Sequence, residues 1–363
     1  MNILITFLTY GENTFGGIEH ATNNLVHGLR ENGHNVSIYT GPFKMKVGIY
    51  KKNNLFIYAS KNLRIPFDGT DNTIINFLHK KKTTIDSEIK KIIKSDKIDL
   101  IICIDHLWGI VPILGLEYSI PTILWLHIFH NKQILKSLEN KKYDLFSVST
   151  SLSKEIKNVI SKEIKILPNS LIIQNINKTK SKKNYIFVNA RISPEKNTID
   201  ALKIFEEIAN NFKDVKLVLC GGNFPFIDNR KYYQSVIDKI KKSQYTNRIS
   251  ILDSIPWKKI PEIVSNARII LLPTKTESFG LAALEAMAYK TPLITTSSGN
   301  LPNLTCNYIN LVSPGNISKF THEVKQELQN KRNSNLNKLK KEAIKYKAST
   351  VALNLIKNYE QKK

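Results

Sequence analysis

Residues Pro273 to Lys290 read PTKTESFGLAALEAMAYK. An apolar strand, Ile269 to Leu272, ends there, a loop presents Glu277 and Ser278, and a helix is expected from Phe279 to Tyr289 with Glu285 inside it. The two carboxylates are eight residues apart, one ahead of the helix and one about one and a half turns in. They can therefore meet one ligand at different depths. Backbone amides of Phe279, Gly280 and Leu281 stand at the expected helix start, where the dipole favours an anion. Gly280 has no Cβ to keep a ligand away. From spacing alone the same pattern also fits a plain N-terminal helix charge at Glu277 and a surface residue at Glu285.

Eighty residues upstream, Arg191-Ile-Ser-Pro-Glu-Lys196 follows another apolar strand, Tyr185 to Asn189. A guanidinium fork and an ammonium point charge at a strand's carboxyl end can hold a diphosphate. Pro194 with Glu195 equally suits ordinary helix initiation. Outward from these two segments the whole chain alternates short apolar runs with helical patterns, which predicts parallel sheets built from β-α units. Strands are expected at Ile3–Leu8, Val36–Thr40, Leu55–Ala59, Leu100–Ile104, Thr122–His127 and Leu145–Ser149. The second half adds strands at Lys216–Cys220, Ile249–Leu252 and Pro292–Thr295, and helices at Glu195–Asn211 and Tyr232–Lys242. The segment NINKTKSKKN, Asn175 to Asn184, has a single apolar residue and reads as a linker. The expected organisation is a Rossmann-like domain at 1–174, the linker at 175–184, a second Rossmann-like domain at 185–345, and a C-terminal helix at 346–363 able to cross back to the first domain. Two doubly wound sheets bind ligands at their strands' carboxyl ends, so the site is expected between the halves.

At 363 residues, 42% hydrophobic and 23% charged, the chain is too apolar to be disordered and too poor in cysteine to be a disulfide scaffold. Lys+Arg number 54 against Asp+Glu 30, a net charge of +24, but only seven of the 54 are Arg. A Lys-rich solvated surface is the first reading, an anionic membrane face or acidic substrate the second, and nucleic acid the least favoured, because specific readers cluster Arg. Cys103, Cys220 and Cys306 lack metal-ligand spacing and suit a reduced, cytoplasmic chain. The N-terminus reads as a buried strand rather than a signal peptide, and the apolar stretch Leu107–Phe129 is broken by Pro112, Glu117, Pro121 and His127. Lys80 to Lys97 places Ile85, Ile89, Ile92 and Ile93 on one stripe among lysines. That stripe either packs on the sheet or lies on anionic lipid.

ARISPEK followed by LLPTKTESFGLAALEAMA resembles the retaining glycosyltransferases of family 4, whose GT-B fold pairs two Rossmann-like domains across a cleft. The likeness extends to Phe15-Gly16-Gly17, Leu126-His127, Ser149-Thr-Ser and Leu167-Pro168-Asn169, and so covers nearly the whole chain. It implies that Glu277 holds hydroxyls of the donor sugar and Glu285 the nucleotide's ribose. Arg191 and Lys196 would neutralise the leaving diphosphate, and Ser278 with the amides of Phe279, Gly280 and Leu281 would bind the donor around its distal phosphate. Gly16 and Gly17 would let the backbone close over diphosphate and sugar, and His127 would be the polar contact beside the sugar. Glu277, His127, Arg191 and Lys196 are the expected catalytic set.

No cofactor and no metal are expected beyond the nucleotide-diphosphate sugar co-substrate, since HExxH and Asp-x-Asp are absent from the sequence. The acceptor is expected to be a glycan or a lipid-linked saccharide, met in the cytoplasm or at the inner face of the cell membrane. His106 and His130 are expected near the same site as His127. Asn197, Lys290, Asn300 and Asn303 stand where the family usually has glycine or, in the last case, glutamate. Asn tolerates left-handed turns, so Asn197 and Asn300 are expected to preserve them. Two other readings stay open: a glycosyltransferase acting on nucleic acid bases, and a non-catalytic partner of an active homologue.

Overall fold

The computed structural model describes residues 1–11, 16–43, 45–65, 71–176, 182–221, 227–252, 255–332 and 335–360. Phe15 and positions 177–181 of the expected linker lie outside these. The chain divides into two compact units, Met1–Ile172 with Tyr346–Lys363, and Ile173–Lys345.

In the first unit the strands are β1 (Asn2–Thr6), β2 (Asn35–Thr40), β3 (Gly48–Lys52), β4 (Leu55–Ala59), β5 (Leu100–Ile104), β6 (Thr122–Leu126), β7 (Asp144–Ser147) and β8 (Ile164–Ile166). They form one sheet in the order β3-β4-β2-β1-β5-β6-β7-β8, parallel throughout except for the β3–β4 pair. Strands covered on both faces read as unbroken apolar runs, which is why LIICI of β5 and TILWL of β6 are buried at every position. Helices α1 (Gly17–Glu31), α2 (Asp71–Lys80), α3 (Lys82–Ser95), α4 (Lys132–Ser137) and α5 (Thr150–Lys157) follow in chain order. The Lys80–Lys97 segment is divided between the end of α2 and α3 rather than forming one helix. Ile85, Ile89 and Ile92 of α3 are buried, so its apolar stripe faces the protein and its lysines face outward. The last helix, Ala348–Glu360, returns to this unit. Leu171 exchanges backbone bonds with the returning chain, its N donating to Tyr346 O at 2.9 Å and Ala348 N donating to its O at 2.8 Å. Asn32 Nδ2 at the end of α1 donates to Ser349 O at 2.8 Å.

The second unit carries β9 (Tyr185–Asn189), β10 (Lys216–Cys220), β11 (Ile249–Leu252), β12 (Ile269–Leu272) and β13 (Leu293–Thr295) in one parallel sheet ordered β11-β10-β9-β12-β13. Around it lie α6 (Thr198–Ala209), α7 (Ile227–Lys242), α8 (Ile260–Asn266), α9 (Leu281–Ala288), α10 (Leu301–Thr305), α11 (Ile317–Leu328) and α12 (Leu336–Ile344). Its core gathers Ile186, Val188, Phe205, Leu219, Leu271 and Phe320. Strand order reverses at β9: β10 and β11 lie on one side of it, β12 and β13 on the other. Loops leaving β9 and β12 at their carboxyl ends are thus neighbours at a topological switch point, where open α/β sheets take ligands.

Two helices start later than the sequence suggests. α6 begins at Thr198, not Glu195, because Asn197 adopts a left-handed conformation at φ 56° that stops helix propagation toward Pro194. α9 begins at Leu281, not Phe279, because Gly280 sits at φ 103°. Pro194 and Glu195 therefore belong to the β9–α6 turn rather than to the first turn of a helix. No helix among the described residues is long and apolar enough to cross a membrane.

Candidate active site

The β9–α6 and β12–α9 loops are fastened to each other. Lys275 N donates to Glu195 O at 2.8 Å, and Asn197 Nδ2 donates to Pro273 O at 3.3 Å. Fastening brings Lys196 and Glu277, 81 positions apart, into an ion pair of 2.8 Å with both side chains 19% exposed. Arg191 lies on the same loop, its guanidinium 3.2 Å from Glu195 at i,i+4 and about 40% exposed. An exposed pair of that kind holds its partners with only about 0.3–0.5 kcal/mol. A stronger anion can therefore recruit the guanidinium.

Behind the loop lies a brace supplied by the turn after β13. Asn300 N donates to Glu277 O at 3.1 Å, and Asn300 Nδ2 to Phe279 O at 3.3 Å. Gly299 lies against the same carbonyl: a Cβ placed on it would sit 1.8 Å from Glu277 O. The expectation that Asn300 keeps a left-handed turn is corrected, since its φ is −86° and it opens α10 in right-handed conformation. Asn is useful here for its amide, which grips the Phe279 carbonyl. Asn197 does take the left-handed conformation, and Lys290 takes it too, at φ 55°. Asn303 is exposed, its Nδ2 3.5 Å from Asn300 Oδ1.

Glu285 is not a surface residue. It is 4% exposed on α9 and accepts a 2.5 Å bond from Asn189 Nδ2 at the end of β9. Burial pushes its carboxyl up to about 8, against a smaller opposing effect from the Asn189 bond. The leading amides of α9 are those of Leu281, Ala282 and Ala283, because Gly280 is the N-cap. Phe279 is buried and Ser278 half-buried in the preceding turn.

In the first unit, Gly16 and Gly17 open α1 after β1. The three histidines of interest converge on Asp105, which sequence reading passed over. This residue follows β5 at φ 63°, is fully buried, and receives three donors. His106 N donates to Oδ1 at 2.7 Å, His127 N to Oδ2 at 2.9 Å, and His130 Nε2 lies 2.5 Å from Oδ1. Its place just after Cys103-Ile104 was the available signal, but the convergence depends on β5 and β6 being sheet neighbours. Burial alone would raise the Asp105 carboxyl, yet the His130 charge and bond outweigh it and hold it at about 2. Burial likewise disfavours charge on His130, and Asp105 reverses this, raising its pKa above the ordinary value. His127, its ring tilted 59° to that of Trp125 with centroids 4.2 Å apart, is pushed down to about 4 by burial, and its Nε2 is buried without a hydrogen-bond partner among the described residues.

Residues 170–347 match the family described as glycosyl transferases group 1. A phosphatidylinositol N-acetylglucosaminyltransferase GPI3 subunit of Saccharomyces cerevisiae is 23% identical over 325 residues, covering 80% of this chain and 67% of that protein. An uncharacterized glycosyltransferase of Methanocaldococcus jannaschii is 27% identical over 241 residues, 61% of this chain and 62% of its own. Among solved structures, sucrose-phosphate synthase from Thermosynechococcus elongatus superposes with a TM-score of 0.81 at 15% identity, over 99% of this chain and 98% of that one. Anabaena HepE, solved in complex with UDP-glucose, gives 0.74 at 15% identity, over 99% and 100%. These likenesses agree with the two parallel-sheet units in giving a GT-B fold. The family match spans the loops that pair Lys196 with Glu277 and seat Glu285 against Asn189, and residues 170–347 form a glycosyl transferases group 1 domain.

Proposed function

We propose that the protein is a retaining, metal-independent transferase that moves a hexose-type sugar from a nucleotide-diphosphate donor to a hydroxyl of a glycan or lipid-linked saccharide. The observation that carries this reading is the Lys196–Glu277 pair at 2.8 Å, which sets a cation beside a carboxylate at the β9/β12 switch point. Breaking the bond between the anomeric carbon and the diphosphate oxygen leaves positive charge on the sugar and adds negative charge to the diphosphate. Arg191, Lys196 and the α9 amides would supply cations and dipoles to that negative charge. Losing one such preorganised group typically costs about 2.7–4 kcal/mol of transition-state stabilisation. Glu277 would bind sugar hydroxyls from one side. Glu285, one helical turn deeper, would bind the ribose. His127 and the Gly16-Gly17 start of α1 are the first unit's proposed contributions to sugar and diphosphate contact.

In the bond exchange, the acceptor oxygen joins the anomeric carbon on the face the diphosphate leaves, and the acceptor proton passes to the departing phosphate oxygen. Support for a UDP-type donor comes from HepE, whose structure holds UDP-glucose, and for a saccharide product from the named activity of the yeast relative. The cytoplasm, including the inner membrane face, is the proposed setting.

The test is release of nucleoside diphosphate from UDP-, GDP-, ADP- and TDP-sugars in EDTA, with Glu277→Ala and Arg191→Ala as controls. Turnover of one donor that survives EDTA and falls at least a hundredfold in both variants is the expected result. Near-normal turnover in either variant would reject the site. An inverted anomeric centre in the product, read by proton NMR, would reject retention.

A further inference from the structure

A cavity of about 450 Å³ opens in the second unit, within the roughly 300–1,000 Å³ range of small-molecule sites. It is walled by the loop after α10, one face of α11 and the segment between α11 and α12. Its floor is a buried ion pair: Arg332 Nε donates to Glu323 Oε2 at 2.9 Å, the two side chains being 4% and 5% exposed. Lys319 reaches the same carboxylate at 3.3 Å from the rim.

Charge and shape together choose the ligand. Among the described lining residues, Lys319, Lys331 and Arg332 stand against one carboxylate, Glu323, which two of them share. Positive charge stays in excess even with Glu327 counted, 3.7 Å from Arg332 Nη1 but not on the lining. Such a concave, cationic surface concentrates anions. Asn307, Asn310 and Gln326 bring amides that both donate to and accept from hydroxyls. Tyr308 and Ile309 add a small apolar face. A phosphorylated sugar meets all three kinds of wall, whereas inorganic phosphate fills little of the volume and has no ring to lay on Tyr308.

The cavity is bonded to the turn that braces Glu277. α10 is five residues long; Asn300 at its start donates to Glu277 O and Phe279 O, and Cys306 and Asn307 just past its end hold left-handed conformations at φ 48° and 54°. Beyond the lining loop, Val312 N donates to Thr295 O at 3.0 Å and Ser297 N to Val312 O at 2.9 Å. From the other wall, Arg332 Nη1 donates to Leu293 O at 2.9 Å. The lining segments thus grip both ends of β13, and the turn after β13 carries the brace. Residues with a Cβ keep left-handed conformations only where surrounding contacts hold them, so a ligand on Asn307 favours the backbone path that seats α10.

We propose that this cavity is a regulatory site for a sugar phosphate, and that its occupancy tightens donor binding through α10 and β13. The phosphate meets Lys319 and Lys331, and the sugar hydroxyls meet Asn307, Asn310 and Gln326. Arg332 and Glu323 are positioning residues that fix the floor. The regulatory effect rests on the transferase reading above.

The experiment is calorimetric titration of the full chain with glucose 6-phosphate, with glucose and inorganic phosphate as comparison probes, alongside donor hydrolysis with and without glucose 6-phosphate. Saturable binding of glucose 6-phosphate is expected, at least tenfold tighter than either comparison probe. Arg191→Ala should leave it unchanged, which separates this cavity from the donor loops. Lys331→Glu and Asn310→Ala, both at exposed positions, should weaken it at least tenfold and threefold and leave hydrolysis without the ligand unchanged. Saturating ligand should lower the donor KM at least fivefold, the low end of the usual 5–150-fold coupling. Absent binding, binding no tighter than that of inorganic phosphate, binding unchanged in both variants, or binding lost in Arg191→Ala overturns the site. Binding with an unchanged donor KM overturns the regulatory effect. If binding fails while donor hydrolysis proceeds, the cavity assignment falls and the transferase reading stands. Binding to a chain that hydrolyses no donor keeps the sugar-phosphate site and removes the transferase reading, and with it the regulation.

Discussion

Replacing Glu285 by Gln should make the second unit more stable and the enzyme worse. The carboxyl is 4% exposed, has Asn189 Nδ2 at 2.5 Å, and has its pKa raised from 4.5 to about 8 by burial. Between those two values the unfolded chain has released the proton and the folded chain has kept it. The folded state therefore binds more protons, and stability falls as pH rises through that window. At about 1.4 kcal/mol per pH unit, the penalty is about 3 kcal/mol at pH 7 and levels off near 5 kcal/mol above pH 8. Gln keeps an oxygen for Asn189 to donate to and removes the titration. Glu285→Gln should gain nothing at pH 4.5 and about 3 kcal/mol at pH 7, a rise in melting temperature of about 6–12 °C for a unit of this size. The donor KM should rise about twofold to tenfold, the worth of one hydrogen bond to a neutral group at about 0.5–1.5 kcal/mol. Calorimetric melting at pH 5 and pH 8 with donor kinetics checks both halves. Equal melting shifts at the two pH values would refute the buried-carboxyl argument, and an unchanged KM would refute the ribose assignment. A carboxylate kept at such a penalty belongs to function rather than to packing.

Asp105→Asn should destabilise the first unit at pH 6, because it removes the carboxylate that keeps the buried His130 charged and that accepts from the His106 and His127 amides. His130 has a raised pKa, so its contribution is complete below about pH 6.5 and is lost as pH climbs through the raised value; urea titrations should show the gap to the variant narrowing on the alkaline side. Gly299→Ala and Gly315→Ala form a second comparison, since both glycines have positive φ, 55° and 81°. Nothing lies within 4 Å of a Cβ on Gly315, whereas one on Gly299 meets the Glu277 carbonyl. Both should lose about 1–2 kcal/mol to left-handed strain, but only Gly299→Ala should lose turnover, at least tenfold, by displacing Glu277. Equal turnover in the two would show that the brace does not set the position of that carboxylate.

Much of the sheet was legible because parallel strands buried on both faces are written as contiguous apolar runs. β4, β5, β9, β10, β11 and β12 fall on the residues the runs mark. β3 was not legible: GIYKK is a sheet-edge strand with four of its five residues exposed and only its pairing with β4 to define it. Asp105 escaped for a different reason. Its partners His106, His127 and His130 come from two loops, and nothing local in the sequence says that a left-handed turn after β5 aims one carboxylate at both.

The departures from the resembled family show where local reading misjudges a site. Asn197 and Lys290 stand where glycine is expected and still take the left-handed conformation, at φ 56° and 55°. For a residue with a Cβ that conformation costs about 1–2 kcal/mol, more for Lys290 than for Asn197, whose amide bonds Asp200 and the Pro273 carbonyl in return. Asn300 departs in the opposite sense: the turn changes to right-handed, and the side chain supplies a bond to Phe279 O that glycine could not make. Asn197 and Asn300 each bond the loop that carries Glu277, through Pro273 O and Glu277 O. A missing glycine is therefore weak ground for lost activity here. The Lys196–Glu277 ion pair stands at 2.8 Å with asparagine at positions 197 and 300.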